Sequence, residues 1–198
     1  MKRFEDATAI YVRIPKTASC SIVKALRGHK QILCNDINNF LEINMTSYLS
    51  RKNKEALGAE LWKKCFKFSF VRNPFDRCVS SWKMTNRRMP FKVFVKNLIG
   101  VNLKNPKKFS FNAWHCCLQT SHVTNWRGKC MLDFIGKFER LQDDFDEVCD
   151  RVGIDKMKLP HLNKTKHDHY TSYYDGETKA LVGKIYKKDI KFFGYEFE

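Results

Sequence analysis

The sequence predicts an α/β fold: a P-loop-like, mostly parallel central sheet flanked by helices, built as one domain over residues 1–198. Three observations predict it. Apolar strand-like runs alternate with longer segments of helical periodicity, the pattern of parallel strands joined by right-handed crossovers. Two of those runs end in loops that carry anion-binding side chains, and parallel sheets collect ligands at the carboxyl ends of their strands. Hydrophobic residues make up 43% of the chain and Phe contributes 16, so a sizeable core is available and nothing reads as disordered.

Each element has its own signal. "TAIYVRI" (8–14) reads as a strand and "SIVKALRG" (21–28) as a helix stopped by Gly28. "KQILCN" (30–35) is a short second strand, and "SYLSRKNKEALGAELWKK" (47–64) a polar helical stretch. "CFKFSFV" (65–71), with Phe66, Phe68 and Phe70 alternating, is the clearest strand. Asn73 as cap and Pro74 in the first helical position start a helix through about Arg87. Helices are expected over 91–99 and 111–120, and "MLDFIGKF" (131–138) is a further strand. The next helix, about 139–152, sets Leu141, Phe145, Val148, Cys149 and Val152 on one face. "GIDKMKLPHLNKTKHDHYTSYY" (153–174) is a long polar loop, which in a compact domain is more often functional than idle. A last helix from Asp175 to about Lys188 leads into the aromatic tail "FFGYEF".

The charge is lopsided, 37 Lys+Arg against 21 Asp+Glu for a net +16. That balance suits a solvated lysine surface or attraction to a polyanion, and composition alone does not choose. Eight cysteines occur with no CxxC pair, which argues against a structural zinc site. Cys65, Cys78 and Cys149 fall in apolar patterns, where a free thiol behaves as a small hydrophobe. No run of about 18 apolar residues predicts a membrane span, and the start "MKRFEDATAIYVRI" lacks the apolar stretch of a secretory signal. The expectation is a cytoplasmic protein with reduced cysteines, or one of the Golgi lumen if the chain is cut from a longer, anchored one.

Lys16, Thr17, Ala18, Ser19, Cys20 and Ser21 sit where the first strand ends and the first helix begins. Backbone N–H groups at such a junction favour a phosphate or similar anion, with hydroxyl donors and the Lys16 charge added. An ordinary helix cap with a surface lysine is the alternative. The Walker pattern G-x-x-x-x-G-K-[ST] does not apply, because Lys16 precedes the small residues and the loop contains no glycine.

"IPKTASCS" (14–21) resembles the 5′-phosphosulfate-binding loop of carbohydrate sulfotransferases, the group that includes the heparan sulfate 2-O-sulfotransferases. "FSFVRNPFDRCVSSW" (68–82) resembles the second element of that family, a strand ending in Arg-[Asn/Asp]-Pro followed by a helix with Ser eight residues after the Arg. Those positions are Arg72 and Ser80 here. A forked guanidinium at a strand end, with a hydroxyl two turns along the next helix, makes a receptor for a terminal phosphate dianion; capping of a neighbouring helix or pairing with Asp76 is the alternative for Arg72. "LPHLNKTKHDHYTSYY" (159–174) resembles the loop that closes over the nucleotide, which places Lys164 and Thr165 against the donor, a solvated basic loop being the alternative. "HCCLQ" (115–119) resembles a His-x-x-x-Gln segment of the family.

The resemblance implies a sulfotransferase fold and a donor, 3′-phosphoadenosine 5′-phosphosulfate (PAPS), that leaves as 3′-phosphoadenosine 5′-phosphate (PAP). The acceptor is a hydroxyl, by resemblance that of a sugar or glycan, acidic ones included. Lys16 with the loop N–H groups would stabilise the leaving phosphate, no metal ion being required. His115 is the first choice for the base that takes the acceptor proton, with Glu42, His29 and His122 behind it. Cys20 departs from the family loop by removing a hydroxyl, and Asn44 stands where relatives often carry a His. The competing readings are a basic nucleic-acid- or polyanion-binding protein and a catalytically inactive nucleotide-binding relative. Basic residues spread along the chain, without a nucleic-acid motif, argue against the first.

Overall fold

Four strands pair in parallel in the order β2-β1-β3-β4: β1 (Ala9–Tyr11), β2 (Ile32–Cys34), β3 (Phe66–Val71) and β4 (Phe134–Lys137). They are drawn from a computed structural model that describes residues 6–34, 59–85, 88–99, 114–160 and 168–198. Helix α1 (Ser19–Ala25) joins β1 to β2, α2 (Ala59–Lys64) precedes β3, and α3 (Pro74–Thr85) follows it. Then come α4 (Phe91–Asn97), the short α5 (Thr120–Val123), α6 (Leu141–Val152) behind a 3₁₀ turn at Phe138–Arg140, α7 (Gly176–Ile185) and α8 (Lys187–Phe193). The mostly parallel sheet expected from the sequence is parallel at every described pairing.

Strand periodicity sorts the core. Ala9, Tyr11, Phe68 and Phe70 face one side, where Ile22 and Leu26 of the first crossover and Phe145, Val148 and Cys149 of α6 cover them. Tyr11 and Phe68 stack across the β1–β3 pair with ring centroids 5.2 Å apart. Ile10 and Val12 face the other side against Trp62, while Ile14 and Val71 meet Val123 and Tyr195. Lys67 shares that second face and is buried, its ammonium satisfied by the Cys65 carbonyl at 2.7 Å and by Asp133 at 2.7 Å. A fourth apolar cluster, with Phe75, Val79, Phe91, Phe94, Val182 and Tyr186 in it, locks α3, α4 and α7 together.

Three expectations need correction. The first strand covers three residues in place of seven. The helix expected over 111–120 is interrupted, with a turn at residues 115–119 and helix again from Thr120 (residues 111–113 lie outside the described set). The carbonyls that would accept i+4 amides there are taken from elsewhere: Ser81 Oγ donates to the His115 carbonyl at 2.8 Å, and Tyr186 Oη to the Cys116 carbonyl at 2.7 Å. The last helix runs further, to Phe193, and breaks at Tyr186, whose hydroxyl makes that bond. Gly194 then closes it with φ +66, a left-handed C-terminal position that favours glycine.

Gly136 in β4 is a packing requirement. A Cβ there would stand 2.5 Å from Cε1 and 2.7 Å from Cδ1 of the buried Phe70 ring. Gly136→Ala is expected to lower stability by about 1–3 kcal/mol through overpacking, read as a drop in the midpoint of chemical unfolding.

Candidate functional site

The sheet reverses its winding at β1: the chain passes from β1 to β2 on one side and returns to place β3 on the other. The loops leaving β1 and β3 therefore flank a topological switch point, where α/β sheets bind ligands. Both sequence motifs lie there.

The first loop is held by its carbonyls. Thr17 Oγ1 donates to the Ile14 carbonyl at 2.9 Å, Arg77 Nε to the Pro15 carbonyl at 2.9 Å, and Arg72 Nη1 to the Lys16 carbonyl at 3.3 Å. Three successive carbonyls are thus drawn toward side-chain donors. In a trans peptide the following N–H points the opposite way, so the Lys16 and Thr17 amides turn away from the two arginines. Lys16 and Ala18 take φ of 70° and 60°, a left-handed conformation that costs a non-glycine residue about 1–2 kcal/mol. The side-chain locks on Ile14, Pro15 and Lys16 hold that strained turn in place.

Positive charge gathers around it. Lys16 is half-buried, and partial burial, then the Arg72 guanidinium, and further Arg77, hold its pKa below the usual lysine value, with Cys20 opposing. Its hydrogen-bond partner is the thioether of Met84 at 3.4 Å, a weak acceptor. Arg13 adds a fourth cation, donating from Nε to Ser19 Oγ at 3.1 Å and from Nη2 to the exposed Cys20 Sγ at 3.3 Å. The loop hydroxyls divide accordingly. Thr17 is fully buried and spends its proton on Ile14, Ser19 is an acceptor for Arg13, and Ser21 is buried on the first turn of α1.

Arg72 is fixed on several sides. Nε donates to Asp76 at 2.7 Å, and the Phe138 ring lies 4.0 Å from the guanidinium carbon. Its backbone is clamped by Gln119, whose Oε1 accepts from Arg72 N at 3.0 Å and whose Nε2 donates to the Arg72 carbonyl at 2.8 Å. Gln119 and Thr120 are held in turn by the buried Asp189 carboxylate, at 2.7 Å from Gln119 N and 2.9 Å from Thr120 N. Burial pushes the Asp189 pKa up, opposed by the Thr120 N–H and by Arg77.

Helix α3 presents two stripes. Asp76, Ser80 and Met84 follow at i, i+4 and i+8; Asp76 pairs with Arg72 and Met84 with Lys16, so half-buried Ser80 stands between them. The inner stripe carries Arg77 and Ser81, both bonded to the His115 carbonyl. The helix thus brings Lys16, Arg72 and Ser80 to one place, and the Arg72–Asp76 pair weighed as an alternative is present too.

The other candidates scatter. His115 is half-buried on the 115–119 turn. His122 is buried with Nε2 3.0 Å from Cys117 Sγ. Burial, with Arg77 nearby, pulls its pKa down to about 3, while burial lifts Cys117 to about 12. The two form a neutral pair sealed from any acceptor. His29 precedes β2, at the amino end of the sheet and away from both loops. Glu42, Asn44, Lys164 and Thr165 lie outside the described residues, and no group of three or more potential metal ligands occurs among those described. Arg77 and Asp189 were not singled out from the sequence. The one available signal was an arginine placed on the apolar side of a helix, five residues after Arg72.

Comparison with known proteins fits this geometry. An uncharacterized protein of Archaeoglobus fulgidus is 25% identical over 122 residues, covering 59% of this chain and 92% of that one. No solved structure matches the chain. The profile of the sulfotransferase family matches residues 2–196, a span that takes in both cation-bearing loops and all four strands. The chain belongs to the sulfotransferase family, whose chemistry is the transfer of a sulfuryl group.

Proposed function

We propose that the chain transfers the sulfuryl group of PAPS to the hydroxyl of a carbohydrate acceptor, with PAP as the product, the acting unit being the single domain 1–198. The observation that carries this reading is the state of Lys16. A half-buried ammonium group beside two guanidinium groups, with a thioether as its partner, is an unfavourable arrangement without an anion. A doubly charged nucleotide phosphate relieves it. ATP carries phosphate too, but the two neighbouring receptors, the Lys16 loop after β1 and the Arg72–Ser80 pair after β3, suit a ligand with anionic groups at both its 5′ and 3′ positions.

In this reading Lys16, the amides of residues 16–20 and the hydroxyl of Ser21 bind the 5′-phosphosulfate. Arg72 and Ser80 bind the 3′-phosphate, with the Asp76 carboxylate and the Phe138 ring presenting the guanidinium. Lys164 and Thr165 close over the donor. His115 takes the acceptor proton as the acceptor oxygen bonds to sulfur, and Lys16 stabilises the charge that develops on the 5′-phosphate oxygen as its bond to sulfur breaks. No metal is needed for these roles. Carbohydrate as the acceptor rests on the likeness of both motifs to carbohydrate sulfotransferases, and the +16 charge suits an acidic glycan.

Titration with PAP under thermal denaturation tests the donor site, since a ligand that binds only the folded protein must raise the midpoint. The expected result is a saturable shift with ATP much weaker, and with Arg72→Ala and Lys16→Ala each weakening binding about 10- to 100-fold. A cooperative melt that PAP does not move overturns the reading. PAP binding is also expected to fade at alkaline pH. The charged form of Lys16 binds the anion, and its depressed pKa places the loss below the 10.5 of an ordinary lysine. Calorimetric titration across pH 7–10 reads that limb, which Lys16→Arg should remove.

A further inference from the structure

Arg77 is the largest of the fully buried side chains, and although it lies within the second motif, neither motif assigns its charge a role. Among the described residues no carboxylate lies within ion-pair distance of it. Its guanidinium instead donates to two carbonyls, Pro15 at 2.9 Å from Nε and His115 at 3.3 Å from Nη2. Around it stand Lys16 from the loop, Cys78 from its own helix, Cys116 and Cys117 from the following turn, His122 from α5, and Tyr186 and Asp189 from the C-terminal helices. Burial holds the thiols, the imidazole and the phenol in their neutral forms. The Asp189 carboxylate is committed to Gln119 and Thr120. A guanidinium cannot shed its proton to escape burial, and a cation placed this way is costly unless something in the working protein uses it.

We propose that Arg77 is a positioning residue for the donor, holding the left-handed turn of the Lys16 loop by its Pro15 carbonyl and setting a fixed, buried positive charge beneath the place where the 5′-phosphosulfate binds. The inference rests on the reading of that loop as the donor site. The geometry favours this role over packing alone. A Met or Leu would fill the same volume without a buried charge, whereas Arg77 Nε meets the residue immediately before the strained Lys16 turn. The same guanidinium reaches the segment that carries His115, so one side chain ties the donor loop to the turn on the acceptor side. Because the charge is buried, salt screens it less than it would a surface lysine.

The test measures PAP affinity by calorimetry against pH for the full chain and for Arg77→Met and Arg77→Lys, all with Cys20→Ser so that the exposed thiol does not contribute. Arg77→Met is expected to weaken PAP binding about 10- to 100-fold. It should also move the alkaline limb of binding to higher pH, because Lys16 loses a cationic neighbour; a purely structural defect would weaken binding without moving the limb. Arg77→Lys is expected to recover most of the affinity and to keep the original limb. Should Arg77→Met fail to melt cooperatively, Arg77→Gln supplies the neutral side chain and its limb is read in the same way. Binding by a folded neutral variant that matches the unsubstituted protein, or a limb that stays in place, overturns the role of Arg77 while leaving the donor site intact. If the unsubstituted protein itself ignores PAP, the donor reading falls and this inference with it.

Discussion

Pairing of β1 with β3 is the constraint on which the site depends. Neither loop gathers these cations alone: one is strained at Lys16 and Ala18, and the other ends in an arginine paired with Asp76. In-register pairing, Ala9 with Phe66 through Tyr11 with Phe68, delivers both strand ends to the same edge of the sheet. From there Arg72 reaches the Lys16 carbonyl and Arg77 the Pro15 carbonyl. A slip of one residue would turn Tyr11 and the alternating phenylalanines out of the core they fill, so the apolar face that stabilises the pair also sets the geometry of the charges.

The charges oppose that stability. Lys16, Arg72 and Arg77 crowd one end of the molecule, and burial raises the cost of each. Carbonyl oxygens carry much of the compensation. Pro15, Lys16 and His115 each accept from a guanidinium, while Asp76 balances Arg72 alone. A dipole spread over the backbone leaves net positive potential for a ligand, which carboxylates in the same places would cancel. Helix α3 keeps the two uses apart, turning Asp76, Ser80 and Met84 toward Arg72 and Lys16 and Arg77 and Ser81 toward the core.

Much of this was legible in the sequence where the signal is local. The Phe66, Phe68, Phe70 alternation marked β3, Asn73-Pro74 marked the start of α3, and the spacing of Phe145, Val148 and Cys149 marked the buried face of α6. Lys16 and Arg72 could be placed at the ends of β1 and β3, and Ser80 two turns along α3, because motif spacing and strand periodicity are local signals. What escaped was settled by distant partners. Residues 115–119 have helical composition but surrender their carbonyls to Ser81, Arg77 and Tyr186. Asp189 falls just past the expected end of the last helix, yet it is fully buried on the amides of Gln119 and Thr120. Arg77 reads as one more surface cation in a chain of net charge +16. Such roles are decided by contacts between residues dozens apart, which no window along the chain contains.

The contacts around Gln119 set an order of assembly. Gln119 clamps Arg72 from 47 residues away and is itself anchored by Asp189 a further 70 residues on, while Asn73 Nδ2 donates to the Glu196 carbonyl across 123 residues. Closing such long loops is slow compared with forming the local helices. On a ribosome the chain can build β1, α1 and β3 early, yet the Asp189 anchor beneath the clamp on the arginine at the end of β3 arrives only when α8 has emerged. Until then the nascent chain carries the cations without the full scaffold that aims them, so the arrangement of these charges is among the last features to be set.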